Sequence, residues 1–174
     1  MSHLKITRPD ATEHAPYYGK YVALVPEGDI IATLGEQLDD TLVLVRSISE
    51  EKAETRYAPG KWSIKEVIGH LIDSERVFAY RALRFSRNDQ TELPGFDEND
   101  YVRNAAFGEC RLANLATEFE YLRRANLHFF RHLSQEAWLQ RGKANGNEVT
   151  VRALAYIIAG HERHHREILR TRYL

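Results

Sequence analysis

The chain has 174 residues, a length that fits one domain with a proper hydrophobic core. Its 24 Lys and Arg residues balance 25 Asp and Glu residues, which argues against a general attraction to nucleic acid or to anionic membranes. No apolar run approaches the roughly 18 residues of a membrane span, and the start MSHLKITRPD lacks a signal-peptide core, so we expect a cytoplasmic protein.

The only cysteine, Cys110, excludes an internal disulfide and a thiolate-rich metal site. Residues 1–28 predict an irregular N-terminal arm, because prolines and Gly28 interrupt a segment that contains three tyrosines. The remaining residues, 29–174, form the predicted domain.

Apolar residues at helical spacing predict four helices in that domain. The first runs from the capping residue Asp29 to about residue 50, and the second from the capping box Ser63–Glu66 to about Arg87. The third covers about 111–133, and the fourth begins at Thr150 and nearly reaches the C-terminus. Four helices of this length are typical of an all-α four-helix bundle.

Two connections between these helices differ in kind. Residues 88–109 are polar and rich in turn residues, which predicts a long crossover or a functional loop between the second and third helices. The segment RGKANGNE predicts only a turn before the fourth helix, and no segment shows the alternation expected of a strand.

The fourth helix contains the stretch AGHERHHREIL, residues 159–169. His161 and His165 are four residues apart, so they lie on one helix face, and they continue the apolar series of positions 151, 154 and 158. Burying two unpartnered imidazoles is costly. The pair therefore predicts a divalent metal site, whereas His164 points about 100° away from His165 and is predicted to lie beside the ligands or at the surface.

His70 is the predicted third ligand, because it lies on or beside the apolar face of the second helix. It is about as far from the start of its helix as His165 is from the end of the fourth, so antiparallel packing of these helices brings the two level. The alternative is that these histidines are satisfied by local hydrogen bonds. That interpretation is preferred for four other histidines, His3, His14, His128 and His132.

The same stretch contains H-E-x-x-H, the pattern of zinc metalloproteases, with Glu162 in the position of the general base. Only nine residues follow His165, and none is a histidine, so the downstream third ligand of those enzymes is missing. The absence of predicted strands also argues against a protease. Glu162 stays a weak candidate for a catalytic base.

Other residues near His70 are candidates for orienting it or for binding substrate. Glu66 and Asp73 lie one turn on either side of it, although for Glu66 helix capping is the preferred interpretation. Arg81 and Arg84 follow in the same helix, where an inward arginine could receive a substrate carboxylate; a solvated helix face is the alternative.

Two segments of the chain, KWSIKEVIGHLIDSE and AYIIAGHERHHREIL, resemble the DinB superfamily of YfiT-like four-helix-bundle proteins. The resemblance extends from about residue 30 to the end. It implies an up-down-down-up bundle, frequent homodimers, and a divalent ion such as zinc or nickel on His70, His161 and His165. It also implies either a transferase that uses a low-molecular-weight thiol as cosubstrate or a metal-dependent hydrolase, acting on small molecules.

Two functional hypotheses follow. Three imidazole ligands leave an open coordination position, which favours a metal-dependent enzyme, either a thiol-dependent transferase or a hydrolase. The alternative is a noncatalytic metal-binding protein of the stress response.

Overall fold

A computed structural model describes residues 6–174, and the described residues contain eight α-helices and one two-stranded sheet. The helices are α1 (Gly19–Val22), α2 (Ile30–Arg46), α3 (Glu50–Ala53), α4 (Ile64–Ser86), α5 (Glu98–Asn104), α6 (Leu112–Arg131), α7 (Gln135–Leu139) and α8 (Val151–Ile168). A π-helical turn, Leu169–Tyr173, extends α8. No helix among these residues is both long enough and apolar enough to span a bilayer.

The long helices α2, α4, α6 and α8 are the four that the sequence predicts, and the all-α four-helix bundle is confirmed. Their starts follow from local chemistry. Asp29 accepts a hydrogen bond from the backbone of α2, Ser63 and Glu66 form the predicted capping box of α4, and Thr150 caps α8. The amide of Leu112, at the start of α6, donates instead to the Glu50 carboxylate at 2.8 Å.

Pairs of contacts along the helices define their directions. Gln37 donates to the Ala159 carbonyl and Thr41 donates to Glu162, so α2 and α8 run parallel. The Tyr173 hydroxyl donates to the carbonyl of Trp62, just before α4, while His70 further along α4 contacts His161, so α4 and α8 run antiparallel. These directions agree with the up-down-down-up order.

The prediction that the segment RGKANGNE, residues 141–148, forms only a turn is wrong, and so is the expectation that the chain contains no strand. Strands β1 (Arg141–Ala144) and β2 (Asn147–Thr150) pair antiparallel. Asn145 and Gly146 connect them and both have positive φ, 51° and 75°, as a two-residue type I′ turn requires. The Asn-Gly pair is a hairpin signal, but strands of four residues are too short to show a clear alternation.

The crossover between α4 and α6 also has more structure than its composition predicts, since it contains α5 and the 3-10 turn Phe107–Glu109. The Leu93 amide donates to the Lys143 carbonyl at 2.9 Å, and the Leu93 carbonyl accepts from the Asn145 amide at 3.0 Å. The crossover is therefore attached to the hairpin, and together they cover one side of the bundle.

The described part of the N-terminal arm, residues 6–28, packs against α8. A Cβ atom on Gly160 would lie only 1.9 Å from the Tyr21 carbonyl oxygen, so the close approach of arm and helix requires a glycine here. Val22 and Val25 are buried in the core, and Glu13 is paired with Arg152 of α8. Tyr21 is held in a defined position as a result.

Candidate metal centre

Three histidines from two helices meet at one point of the structure. His70 of α4 and His161 of α8 have their Nε2 atoms 3.0 Å apart, and a ligand nitrogen from each of His70, His161 and His165 lies within 4.8 Å of the other two. His70 and His161 are 6% and 7% exposed, and His165 is half-buried. The antiparallel packing of α4 and α8 produces this meeting of residues 91 positions apart.

The surroundings of these imidazoles keep them neutral. Burial lowers the pKa of His70 to about 4. Burial, together with the neighbouring histidines and Lys20, holds the pKa of His161 and of His165 well below the usual value. Because a metal ligand must be a neutral imidazole, all three side chains are in the protonation state that binds a divalent ion at neutral pH.

Three close contacts orient the histidine rings, and none of them was predicted. The Ser74 hydroxyl, one turn after His70, lies 3.4 Å from His70 Nδ1. The Trp62 ring centroid is 4.7 Å from that of His70, and the Tyr21 ring stands edge-on to His161 at 5.3 Å. The spacing of Ser74 from His70 was the only sequence signal, since Tyr21 reaches the site through the fold of the arm.

Glu66 and Asp73 make other contacts. The Glu66 carboxylate accepts from Arg56 and from the Ser63 amide, as a helix cap does. Asp73 Oδ1 lies 3.6 Å from the Arg76 guanidinium. Within residues 6–174 neither carboxylate hydrogen-bonds His70, and Ser74 is the side chain that contacts its second nitrogen.

Glu162 belongs to a buried polar cluster rather than to the group of histidines. It is 1% exposed, its Oε1 accepts from the Thr41 hydroxyl at 2.6 Å, and its Oε2 accepts from Arg123 Nη1 at 2.8 Å. Arg123 also forms two hydrogen bonds with Glu75 of α4, at 2.8 and 2.7 Å. Both oxygens of Glu162 thus have partners in the protein.

A cavity of about 510 Å³ lies beside the three histidines, within the size range of small-molecule sites. The bundle, the arm, the crossover and the hairpin all contribute to its wall. Its lining side chains include Tyr17, Lys20, Tyr21, Trp62, Phe78, Arg81, Phe96, Glu98, Glu148 and His164. Trp62 and Phe96 supply apolar parts of this wall.

The remaining predicted residues divide between this cavity and the surface. Arg81 and His164 line the cavity, whereas Arg84 is paired with Asp89 and does not line it. His128 and His132 are exposed. His14 is buried away from the three histidines, with its Nδ1 2.9 Å from the Ala15 carbonyl oxygen. His3 lies outside the described residues.

Comparison with known proteins agrees with this architecture. The family model of the DinB superfamily matches residues 33–169. Among solved structures, YfiT from Bacillus subtilis, "a probable metal-dependent hydrolase with an unusual four-helix bundle topology", has a TM-score of 0.66 and 17% identity, covering 95% of this chain and 93% of its own. That likeness shows a shared fold. No curated protein matches the chain. The match over most of its length establishes that this chain belongs to the DinB superfamily.

Proposed function

We propose that this protein is a metal-dependent enzyme that acts on a small molecule bound in the cavity beside His70, His161 and His165. The observation that carries the proposal is the convergence of three neutral imidazoles on the wall of a cavity of about 510 Å³. Imidazole nitrogens are common ligands of zinc, nickel and other divalent ions. A structural metal site is closed by protein ligands and needs no space for a further molecule, whereas a catalytic site needs room for a substrate. The adjoining cavity therefore favours an enzyme over a noncatalytic metal-binding protein.

A divalent ion held by His70, His161 and His165 would keep at least one coordination position open, and there it would lower the pKa of a bound water or low-molecular-weight thiol and so supply a nucleophile. The residues of the chain orient and shield that position. Ser74 contacts the outer nitrogen of His70, while the rings of Trp62 and Phe78 add apolar surface beside the imidazoles of His70 and His161. The Tyr21 hydroxyl lies 3.3 Å from that of Tyr17.

Of the two reaction classes, thiol-dependent transfer fits better than hydrolysis. A metalloprotease-like hydrolysis requires a carboxylate that accepts a proton from water, and Glu162 has both oxygens engaged by Thr41 and Arg123. Transfer from a thiol would need no such base, because a thiol is far more acidic than water and a bound ion would favour its thiolate form at neutral pH. Hydrolysis is the second candidate, favoured by the fold shared with YfiT. A homodimer and a cytoplasmic location remain predictions.

The experiment that tests the proposal is elemental analysis of the untagged full chain after incubation with zinc or nickel. We expect about one ion per chain, and loss of the ion in His70→Ala and in His161→Ala, because each variant removes one of three ligands. His128→Ala is the matched control, since His128 is exposed on α6 and should leave metal content unchanged. A wild type that binds neither ion contradicts the proposal.

Activity is then measured on the loaded protein with thiols plus electrophilic acceptors, and separately with ester substrates. Thiol consumption that requires the ion and disappears in His161→Ala supports transferase activity. Ester cleavage without thiol supports hydrolysis instead. A loaded protein that is stabilised by its ion and inactive in both assays supports the noncatalytic alternative.

A further inference from the structure

Arg81 is a buried cation inside the cavity wall. It lies three helical turns after His70 on α4, which places the two residues on the same face of that helix. Its side chain is 4% exposed, and Nη2 donates to the Pro94 carbonyl of the crossover at 2.8 Å. The guanidinium carbon lies 5.9 Å from the ring centroids of both Phe78 and Phe96. This arrangement holds the guanidinium in a fixed place between two apolar rings.

No carboxylate of the described chain neutralises this charge. Within residues 6–174, Arg81 forms no ion pair within 4.0 Å. The two other buried arginines both have such partners: Arg123 is paired with two glutamates, and Arg166 lies 3.2 Å from Asp40. A buried charge is costly unless it is paired, so Arg81 lacks the compensation that its counterparts have.

The unused donors of Arg81 are accessible from the cavity. The Pro94 carbonyl accepts from Nη2, and no hydrogen bond within 3.5 Å from Nε or Nη1 occurs among the described residues. The Tyr18 hydroxyl also lies near the guanidinium, which offsets part of the rise that burial causes in the pKa of Tyr18. Both nitrogens keep some exposure to solvent. Among residues 6–174, Gln37 Oε1 is the only side-chain nitrogen or oxygen that is both fully buried and without a hydrogen-bond partner, so the unpartnered Nε and Nη1 of Arg81 are not fully buried. Arg81 lines the cavity, so a ligand bound there lies within reach of the guanidinium. A carboxylate takes two N–H groups on one edge of the guanidinium, either Nε with Nη2 or Nη1 with Nη2. Because the Pro94 carbonyl accepts only one of the two N–H groups of Nη2, the other lies beside Nε or beside Nη1 and completes such a pair.

We propose that Arg81 binds the carboxylate of the substrate and thereby positions the other end of that molecule at the three histidines. The positioning role rests on the proposed function, whereas the binding of a carboxylate to Arg81 can be measured independently of it. The Phe78 ring connects the two regions: its centroid lies 6.1 Å from that of His161 and 5.9 Å from the Arg81 guanidinium carbon. The ligand is therefore an organic acid with an apolar segment that contacts Phe78 and Phe96.

The other charges that face the cavity lie at its exposed rim. Lys20 Nζ stands 4.1 Å from the Tyr17 ring centroid, and Glu98 is exposed on the opposing crossover. Glu148, also exposed, is paired with Arg141 at 2.9 Å. The positive and negative charges at the rim largely offset one another. Arg81 is the buried charge of the cavity wall. Selection for a carboxylate therefore comes from Arg81, because an electrostatic contact is stronger where water is excluded.

The test is a titration of the full chain with phenylacetate, followed by ¹⁵N nuclear magnetic resonance including the arginine Nε signals. Phenylacetamide, equal in shape and uncharged, is the ligand control. The variants are Arg81→Met, which removes the charge, and Arg81→Lys, which keeps the charge and removes the fork. Arg84→Met is the matched control one turn away, because Arg84 pairs with Asp89 outside the cavity. Each titration is made with zinc-loaded and with chelator-treated protein.

We expect phenylacetate to bind both forms of the wild type and of Arg84→Met, and to shift the Arg81 Nε signal. The affinity for phenylacetate should fall about tenfold or more in Arg81→Met, with a partial loss in Arg81→Lys. Phenylacetamide should bind the wild type no more tightly than it binds Arg81→Met, because it has no charge for Arg81 to pair with. Arg81→Lys retains a cation at the site, so it tests the donor fork even where Arg81→Met folds poorly.

Three results overturn the inference: no binding of phenylacetate to the wild type, equal affinity in Arg81→Met, or binding only to the zinc-loaded form. The last result assigns the carboxylate to the ion. Failure here is distinguishable from failure of the proposed function. A chain that holds one ion per molecule but binds phenylacetate without Arg81 refutes only the carboxylate site, and a chain that binds phenylacetate through Arg81 but holds no ion refutes only the metal-dependent enzyme.

Discussion

Replacing Arg123 by Met should strongly destabilise the protein. Arg123 is 1% exposed and neutralises two carboxylates, Glu75 and Glu162, which are themselves 3% and 1% exposed. Removing one member of a buried ion pair typically costs about 3 to 5 kcal/mol, because an uncompensated charge is left without water. Two carboxylates lose their partner here, so we expect a loss of about 4 kcal/mol or more, a large fraction of the 5 to 15 kcal/mol that stabilises a typical domain.

The assay is urea and thermal unfolding followed by circular dichroism. For a chain of this size about 4 kcal/mol corresponds to a decrease in Tm of about 8 °C or more. The matched control is Arg124→Met, because the neighbouring Arg124 is exposed and its ion pair with Glu120 at 2.8 Å should be worth about 1 kcal/mol or less. Replacing Arg123, Glu75 and Glu162 together by apolar residues should restore most of the lost stability.

A loss below about 1 kcal/mol in Arg123→Met, equal to that of the control, would refute this reasoning about the buried cluster.

Glu162→Gln separates the structural role of that residue from a catalytic one. If Glu162 acts only through Thr41 and Arg123, the variant should lose about 1 to 2 kcal/mol of stability and keep its metal content and its turnover. Loss of turnover at unchanged stability would identify Glu162 as a base after all.

Three further expectations concern acid stability, the arm and the ion. Burial raises the pKa of Glu13, but hydrogen bonds from Arg152, the Asp10 amide and Thr150 outweigh it and lower that pKa to about 2, so its stabilisation is complete above about pH 4.5 and is lost as pH falls through 2. The difference in unfolding free energy between the wild type and Glu13→Gln should therefore shrink between pH 5 and pH 2, and a constant difference would contradict this. Gly160→Ala should lower Tm by several degrees or detach the arm, visible as faster amide exchange there, whereas Gly35→Ala on α2, where a Cβ meets open space, should not. Zinc at about 1,000 times its Kd should stabilise the wild type by about 4 kcal/mol, and an unchanged Tm would argue against a specific site.

The candidate ligands were predictable because helical spacing assigns residues to faces. His161 and His165 continue an apolar series on one helix, and His70 lies on the inner side of another. The resemblance to the DinB superfamily named the same three residues. Local chemistry also predicted where α2, α4 and α8 begin, since Asp29, Ser63 and Thr150 satisfy amides within their own first turns.

The partners of buried polar groups were not predictable. In the sequence Arg123 is one of several arginines in a charged segment. Only the packing of three helices brings it into ion pairs with Glu75 and Glu162. For the same reason Glu162 matches a metalloprotease pattern, although its carboxylate faces Arg123. The hairpin at 141–150 was missed because its strands have four residues each, too few for a periodic signal.

The sequence alone determined the four helices, their caps and the faces that carry the histidines, because these depend on neighbours within about one helical turn. Tertiary structure decided which distant groups meet. It placed the Tyr21 ring of the arm against His161 and left Arg81 in the cavity wall with no carboxylate partner among the described residues. It also directed the Glu162 carboxylate towards Arg123 and not towards the three histidines. Contacts of this kind depend on the directions and separations of packed helices, which no local pattern encodes.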